Sequence, residues 1–337
     1  MKRILVLGGS GFVATHVCEK LVRKECHITV PTRHEADAKN LLIYPFLDVL
    51  EFDVHDEAAL TRVVAEHDAV VNLIAILHGN QATFDKVHVV LPQKLARACI
   101  AGGVKKLVHI SALGANALQP QSAPSMYLRS KGQGEAVLIQ AAMGAGAGVG
   151  AQAGFDLTIL RPSVIFGAED KFLNLFASLQ KVFPIMPLAG ANSRFQPVWV
   201  EDVASAVVHS LEQDGAATAD APRIIEACGP DVFTLKELVQ MSARLSGIRE
   251  GRGRPVIALP HWLGRLQAML MELAPGQPLM SRDNLDSMQR DNVASGTLPG
   301  LQSLGITPAA LEPIARDYLT QDQPGHGLLG IREHSHH

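Results

Sequence analysis

MKRILVLGGSGFVATH, residues 1–16, is the stretch on which the reading of this chain turns. Ile4 to Leu7 is a short apolar run, the pattern of a strand buried on both faces. It stops at Gly8-Gly9-Ser10-Gly11, after which Phe12, Val13, Val17 and Leu21 recur at helical spacing. Strand, glycine turn and helix in succession aim the helix's first backbone N–H groups at whatever lies above the turn, an arrangement suited to a pyrophosphate. Gly9, Gly11 and Ala14 fit G-x-G-x-x-G/A. Gly9 is expected to permit the tight turn, Gly11 to let phosphates approach, and Ala14 to let helix and strand pack closely. Gly8, Gly9, Ser10, Gly11, Phe12 and Val13 are therefore the expected dinucleotide cradle. The bland alternative is a glycine turn that holds nothing.

Composition bounds what the rest can be. The chain has 337 residues, 47% of them hydrophobic and 19% charged, which is ordinary globular protein with enough length for a large core. A net charge of -3 offers no basic field for nucleic acid. Cys18, Cys26, Cys99 and Cys228 show neither metal-ligand nor disulfide spacing and read as reduced thiols of a cytoplasmic chain, and no metal site is expected. No signal peptide is expected ahead of the first strand, and no apolar run approaches the ~18 residues of a membrane span, so membrane contact is expected to be peripheral. The Gly- and His-rich end, closing on His334-Ser335-His336-His337, reads as solvated.

Strand-like and helical segments alternate through the first half, which predicts a parallel sheet covered on both faces. The second strand, residues 27–31, ends at Thr32-Arg33-His34, where an NAD site usually places a carboxylate for the ribose 2′-hydroxyl. A guanidinium at Arg33 suits a 2′-phosphate instead, so NADP(H) is favoured over NAD(H), unless Arg33 is only a solvated loop charge. Strand three, residues 49–52, is expected to set Asp53 and Val54 beside the adenine, and strand four, 69–74, to set Ala75 and Ile76 near the cofactor ribose. A helix over 83–101 closes at Gly102-Gly103. Strand five, 106–110, delivers Ser111 at its carboxyl end, where ligands bind in an open sheet.

Tyr127-Leu128-Arg129-Ser130-Lys131 follows a polar, proline-containing loop. If Tyr127 begins a helix, Lys131 shares its face one turn on. A phenol with a reference pKa near ~10 is a poor base, and each unit of depression takes ~1.4 kcal/mol. The Lys131 ammonium is expected to supply it, while Ser111 holds the substrate oxygen and Tyr127 transfers the proton. The spacing alone is weak; its place after a strand-end serine and a dinucleotide turn gives it weight. Strand six, 155–160, runs into Arg161-Pro162-Ser163-Val164, where the proline marks the strand end.

These features together resemble the short-chain dehydrogenase/reductase superfamily, in the extended or atypical branch that includes sugar-nucleotide epimerases. The resemblance implies a catalytic Ser111, Tyr127 and Lys131, with Lys131 also holding the nicotinamide ribose, and it lays Pro162, Ser163 and Val164 against the nicotinamide. His88, in Val87-His88-Val89, stands where that superfamily often carries an asparagine, which puts the usual proton relay in doubt. RPSVIFGAEDKFLN at 161–174, QPVWVEDVA at 196–204, Cys228-Gly229-Pro230 and PLMSRDN at 278–284 resemble the NDUFA9-like group. That group comprises the 39 kDa-type accessory subunit of respiratory complex I and its bacterial relatives. The resemblance spans about residues 1–320. It implies a bound nicotinamide dinucleotide, structural rather than catalytic in the mitochondrial subunit, and a respiratory or quinone-biosynthesis partner.

The expected architecture is α/β. A Rossmann-type doubly wound parallel sheet over 1–165, with some later elements packing back on it, precedes a smaller, mainly helical substrate or lid region over 166–320 and a flexible tail at 321–337. MGAGAGVGAQAG, 143–154, reads as a surface connector. Helices are expected over 201–211, 234–245, with Thr234 and Glu237 as a capping box, and 261–273. The last carries an apolar stripe of Trp262, Leu263, Leu266, Met269, Leu270 and Leu273. It is expected to pack against the nucleotide domain, the alternative being a surface for a membrane or partner. Pro255, Pro275 and Pro278 mark turns.

Three functions fit the sequence: an NADP-dependent oxidoreductase or epimerase-like enzyme, cytoplasmic or peripheral at the inner membrane face, acting on an unidentified small molecule; a non-catalytic NADPH-binding accessory protein; and, more weakly, a sugar-nucleotide binder using Arg129, Lys171 and Arg194.

Overall fold

The computed structural model describes residues 1–144, 154–213, 222–273, 276 and 278–321. Most of the expected connector at 143–154, Pro275 and the tail beyond 321 lie outside the described residues. In chain order the first elements are β1 (Arg3–Leu7), α1 (Phe12–Arg23), β2 (His27–Thr32), β3 (Leu47–Glu51), α2 (Glu57–Val64) and β4 (Ala69–Asn72). Next come α3 (Gln81–Asp85), a π-helical turn at Lys86–Val90, α4 (Leu91–Gly102), β5 (Lys106–Ile110), α5 (Met126–Ala142) and β6 (Asp156–Pro162). There follow β7 (Ile165–Phe166), α6 (Leu173–Val182), β8 (Met186–Ala189), β9 (Arg194–Phe195), β10 (Val198–Trp199), α7 (Val200–Glu212) and β11 (Arg223–Ala227). The last are β12 (Phe233–Thr234), α8 (Leu235–Leu245), β13 (Val256–Leu259), α9 (His261–Glu272), α10 (Arg282–Ser287) and α11 (Leu311–Gln321). They form two compact units, one of Met1–Pro162, Glu201–Ala227 and Ala294–Thr307, the other of the remaining segments.

The first unit is built on a seven-stranded sheet in the order β11-β6-β5-β4-β1-β2-β3, parallel throughout. Ile4 to Leu7 are at most 1% exposed, which is why the run is continuously apolar: helices cover both sides of a parallel sheet. β1 pairs with β2 on one side and β4 on the other, so the chain reverses its direction of travel there and opens a switch point above β1 and β4. Leu5, Leu60, Leu91, Leu95, Leu107 and Ile159 are among the buried side chains of the core. Asp56 starts α2 by accepting from the Ala58 and Ala59 N–H groups at 3.0 and 3.1 Å. Gly103, at φ +67°, ends α4 as the sequence predicts. α7 is tied to α1 through Glu201, which meets His16 Nδ1 at 2.5 Å and Lys20 Nζ at 2.6 Å. The His16 hydrogen bond leads in pulling the Glu201 carboxyl down to about 2.

In the second unit one carboxylate organises the start of α6. Asp170 Oδ1 accepts from the N–H groups of Phe172 and Leu173, and its Oδ2 accepts from Gly167 N and the Tyr318 hydroxyl of α11. Phe166, Leu173, Leu235, Leu238 and Leu311 are buried in the core that α6, α8 and α11 share. The capping box of Thr234 and Glu237 forms as the sequence predicts. Within its own unit, α9 does not bury its apolar stripe. Gly264 and Ala268, one turn apart, are the buried residues of the helix, and a Cβ at 264 would lie 2.6 Å from Ala189 Cβ. The smallest side chains set the close approach to β8, which turns the large ones outward: Trp262 is 66% exposed, Leu270 59% and Leu273 76%. Among the described residues no helix is long and apolar enough to cross a membrane.

Candidate functional site

The parallel sheet brings the carboxyl ends of its strands to one edge, and most of the predicted residues follow those ends. After β1, Gly8 takes φ +82° and its carbonyl accepts from Gly11 N at 3.1 Å. The turn's left-handed residue is therefore Gly8 rather than Gly9, a correction to the expected roles. Gly9 is small for a different reason: a Cβ there would sit 2.3 Å from Val30 Cγ1 of β2. A Cβ on Gly11 would meet only Gly8 O, at 3.4 Å, so that face is open. Gly11 caps α1 without a side-chain hydrogen bond, and Ser10 and Gly11 are exposed, with Phe12 and Val13 half-buried. Ala14 is buried where helix meets sheet. Open N–H groups at the start of α1 and a glycine whose Cβ space is free fit a dinucleotide pyrophosphate.

Beyond β2, Arg33 is exposed and forms no ion pair among the described residues. Phe52 N donates to Thr32 O at 3.0 Å, so Arg33 and Asp53 follow adjacent strand ends. Asp53 Oδ1 accepts from His55 N at 2.9 Å, and Val54 packs against the core. Past β4, Ala75 is exposed and Ile76 half-buried. Asn72 Oδ1 takes the Ile74 N–H at 3.2 Å and its Nδ2 donates to His109 Nδ1 at 3.1 Å. Neither Asn72 nor His109 was singled out from sequence; a polar pair inside apolar strands was the available signal.

Ser111 follows β5 directly. Its hydroxyl is buried, with the residue 4% exposed, and has no hydrogen-bond partner among the described residues. Lys131 Nζ, also buried, donates to Ile110 O at 2.7 Å, one residue before Ser111. Burial pulls the Lys131 ammonium down to about 8 against the opposing charge of Glu135. Ser125 caps α5 by accepting from Leu128 N, which puts Tyr127 in the first turn. The Tyr127 ring packs with Ala112, Ala123 and Leu128 and stands edge-on to Phe84 and His88. Burial pushes its phenol up to about 12. The expected depression by Lys131 is thus corrected: desolvation dominates, and the ammonium is engaged by a backbone carbonyl.

Beneath Lys131, Glu135 is fully buried and clasps Arg161 of β6 through two bonds of 2.9 and 2.6 Å. Pro162 ends β6, and its carbonyl accepts from Leu113 N. Ser163 and Val164 belong to the second unit, where the Ser163 hydroxyl and Val164 N–H are both held by Asn292 Oδ1, at 2.6 and 3.1 Å. Of the cations set aside for a second diphosphate, Arg129 donates to the Ser125 and Pro124 carbonyls, and Arg194 faces Asp291.

This fold, with its strand-end cradle, is of the Rossmann type. The chain belongs to the NAD dependent epimerase/dehydratase family, whose model matches residues 4–225. It is 28% identical over 335 residues to the mitochondrial NADH dehydrogenase (ubiquinone) 1 alpha subcomplex subunit 9 of Arabidopsis thaliana, covering 95% of this chain and 78% of that protein. The Rattus norvegicus protein of the same name is 30% identical over 318 residues, 91% of this chain and 77% of its own. A dTDP-glucose 4,6-dehydratase from Streptomyces venezuelae, solved with NAD bound, shares the fold at a TM-score of 0.70 and 20% identity, covering 95% of this chain and 96% of that one.

Proposed function

We propose that this protein binds NADP(H) in preference to NAD(H) above β1 and β4, and that it is an oxidoreductase or epimerase-like enzyme using Ser111, Tyr127 and Lys131. The observation that carries the catalytic part is the Ser111 hydroxyl, buried and unpartnered at a strand end beside the Lys131 anchor. A buried hydroxyl without a partner costs about 1–3 kcal/mol, a cost that a ligand oxygen would remove. The nicotinamide supplies or accepts hydride when bound. Ser111 holds the substrate oxygen, Tyr127 moves the proton to or from it, and Lys131, which fixes the Ile110 carbonyl, would also hold the ribose. Ala75, Ile76, Asp53 and Val54 would line the nucleoside parts of the same cofactor, and Pro162, at the end of β6 in the same unit, its nicotinamide end.

Gly9→Ala and Gly11→Ala separate fold from binding. Gly9→Ala should cost on the order of 1–3 kcal/mol in urea unfolding, because Val30 must move. Gly11→Ala should leave unfolding unchanged and weaken NADPH at least tenfold; unchanged affinity would remove Gly11 from the cradle. Arg33→Ala should weaken NADPH by 10- to 100-fold, the loss of charge-assisted bonds of about 1.5–3 kcal/mol, and NADH by less than twofold. A matched loss for both cofactors would show that Arg33 does not read the 2′-phosphate.

A second reading, a cofactor-holding accessory protein of a respiratory or quinone-metabolising assembly at the membrane face, is favoured by the exposed α9 stripe and by the names of the two relatives. Incubating the NADPH-loaded protein with a panel of quinones and carbonyl compounds separates the two. Tyr127-dependent oxidation supports the enzyme; tight binding, no turnover and co-purification with a respiratory complex support the accessory role.

A further inference from the structure

His88 stands in the π-helical turn between α3 and α4, and its surroundings give it a positioning task. The π-helical turn at Lys86–Val90 adds a residue to the local repeat, and His88 within it is 2% exposed. Its Nε2 faces the Ile76 N–H at 3.1 Å; a backbone amide only donates, so Nε2 accepts and the proton of the neutral ring is on Nδ1. Nδ1–H then donates to Ser130 Oγ at 2.8 Å, and the Ser130 hydroxyl donates onward to the Tyr127 carbonyl at 2.8 Å. Burial and the Lys131 charge hold the imidazole neutral, its pKa down at about 3. Phe84 stacks on the ring at 5.6 Å. A Cβ at Gly134 would lie 2.0 Å from the His88 carbonyl, so α5 sits hard against this turn. Both ring nitrogens are committed, which leaves none to pass a proton.

We propose that His88 and Ser130 form a positioning pair that couples the segment at Ala75 and Ile76 to the first turn of α5, which carries Tyr127. The inference rests on the dinucleotide-binding reading above. A ligand that orders residues 74–76 would thereby order the Tyr127 turn through three hydrogen bonds in series. The histidine acts as a strut in place of a relay.

The test is hydrogen exchange of the full chain with and without NADPH, alongside NADPH titration. In the native protein NADPH should slow exchange at both 73–77 and 126–131. His88→Gln keeps an acceptor near the Nε2 position but loses the Nδ1 donor; protection at 73–77 should persist and protection at 126–131 should fall at least fivefold. Ser130→Ala should do the same without disturbing the imidazole's volume. His88→Ala should lose both protections and weaken NADPH about tenfold, while 2′,5′-ADP, which reports only the adenosine end, binds as before. Full protection at 126–131 in His88→Gln and Ser130→Ala, or equal loss of NADPH and 2′,5′-ADP in His88→Ala, overturns the coupling. Failure of the native protein to bind NADPH takes down the functional reading and the coupling with it.

Discussion

Glu135→Ala should lower stability by about 3–5 kcal/mol, because it leaves the Arg161 guanidinium buried without its counter-charge. The Glu135 side chain is 0% exposed and that of Arg161 11%, and the two meet through a two-bond fork. The pair also pins α5 to β6, so the loss reaches Lys131, whose ammonium Glu135 supports. Replacing both residues with apolar ones of similar volume, Glu135→Leu with Arg161→Met, should recover most of the loss, since the desolvation penalty disappears with the charges. Urea unfolding of the single and double variants measures this. A single variant within 1 kcal/mol of the native protein would show that water or a neighbouring group compensates Arg161.

Tyr127→Phe should abolish turnover, by ~10²-fold or more, while NADPH affinity stays within twofold, because the loss is that of a positioned proton donor and acceptor. The ring remains to pack against Phe84, His88 and the Ala112 cluster, so the variant isolates the hydroxyl. With burial holding the phenol at about 12, substrate and cofactor must bring it towards working pH, each unit taking ~1.4 kcal/mol. Turnover in Tyr127→Phe equal to that of the native protein would dismiss the catalytic assignment.

What could be read in the sequence was what local chemistry decides. Six strands of the sheet announced themselves as apolar runs bounded by turn residues, and the Thr234 capping box and the Gly103 stop rest on contacts within a few residues. β11, Arg-Ile-Ile-Glu-Ala, did not, because a short edge strand with only two large apolar residues, flanked by Arg223 and Glu226, carries no periodic signal and is defined by its partner β6. The sequence points to Gly9 rather than Gly8 for the tight turn because only the backbone angle and the approach of Val30 distinguish neighbouring glycines. α9 shows the same limit: a stripe says which residues share a face, while Gly264 and Ala268 decide which face is buried. The Tyr127 titration was misjudged because Lys131 at i+4 is a spacing, whereas desolvation and the Ile110 carbonyl are tertiary facts.

The placement of β11 beside β6 has a consequence for how the protein is made. About 60 residues separate the two strands, and at ~5–20 residues per second they take roughly 3–12 s to emerge from a ribosome. Until then a nascent chain holding six of the seven strands presents β6 as an open, apolar edge, with Ile159 and Leu160 facing no neighbour on that side. Such an edge is a template for pairing with other chains. Pro162, which has no N–H to offer a neighbouring strand, closes the β6 ladder at the end nearest the growing chain.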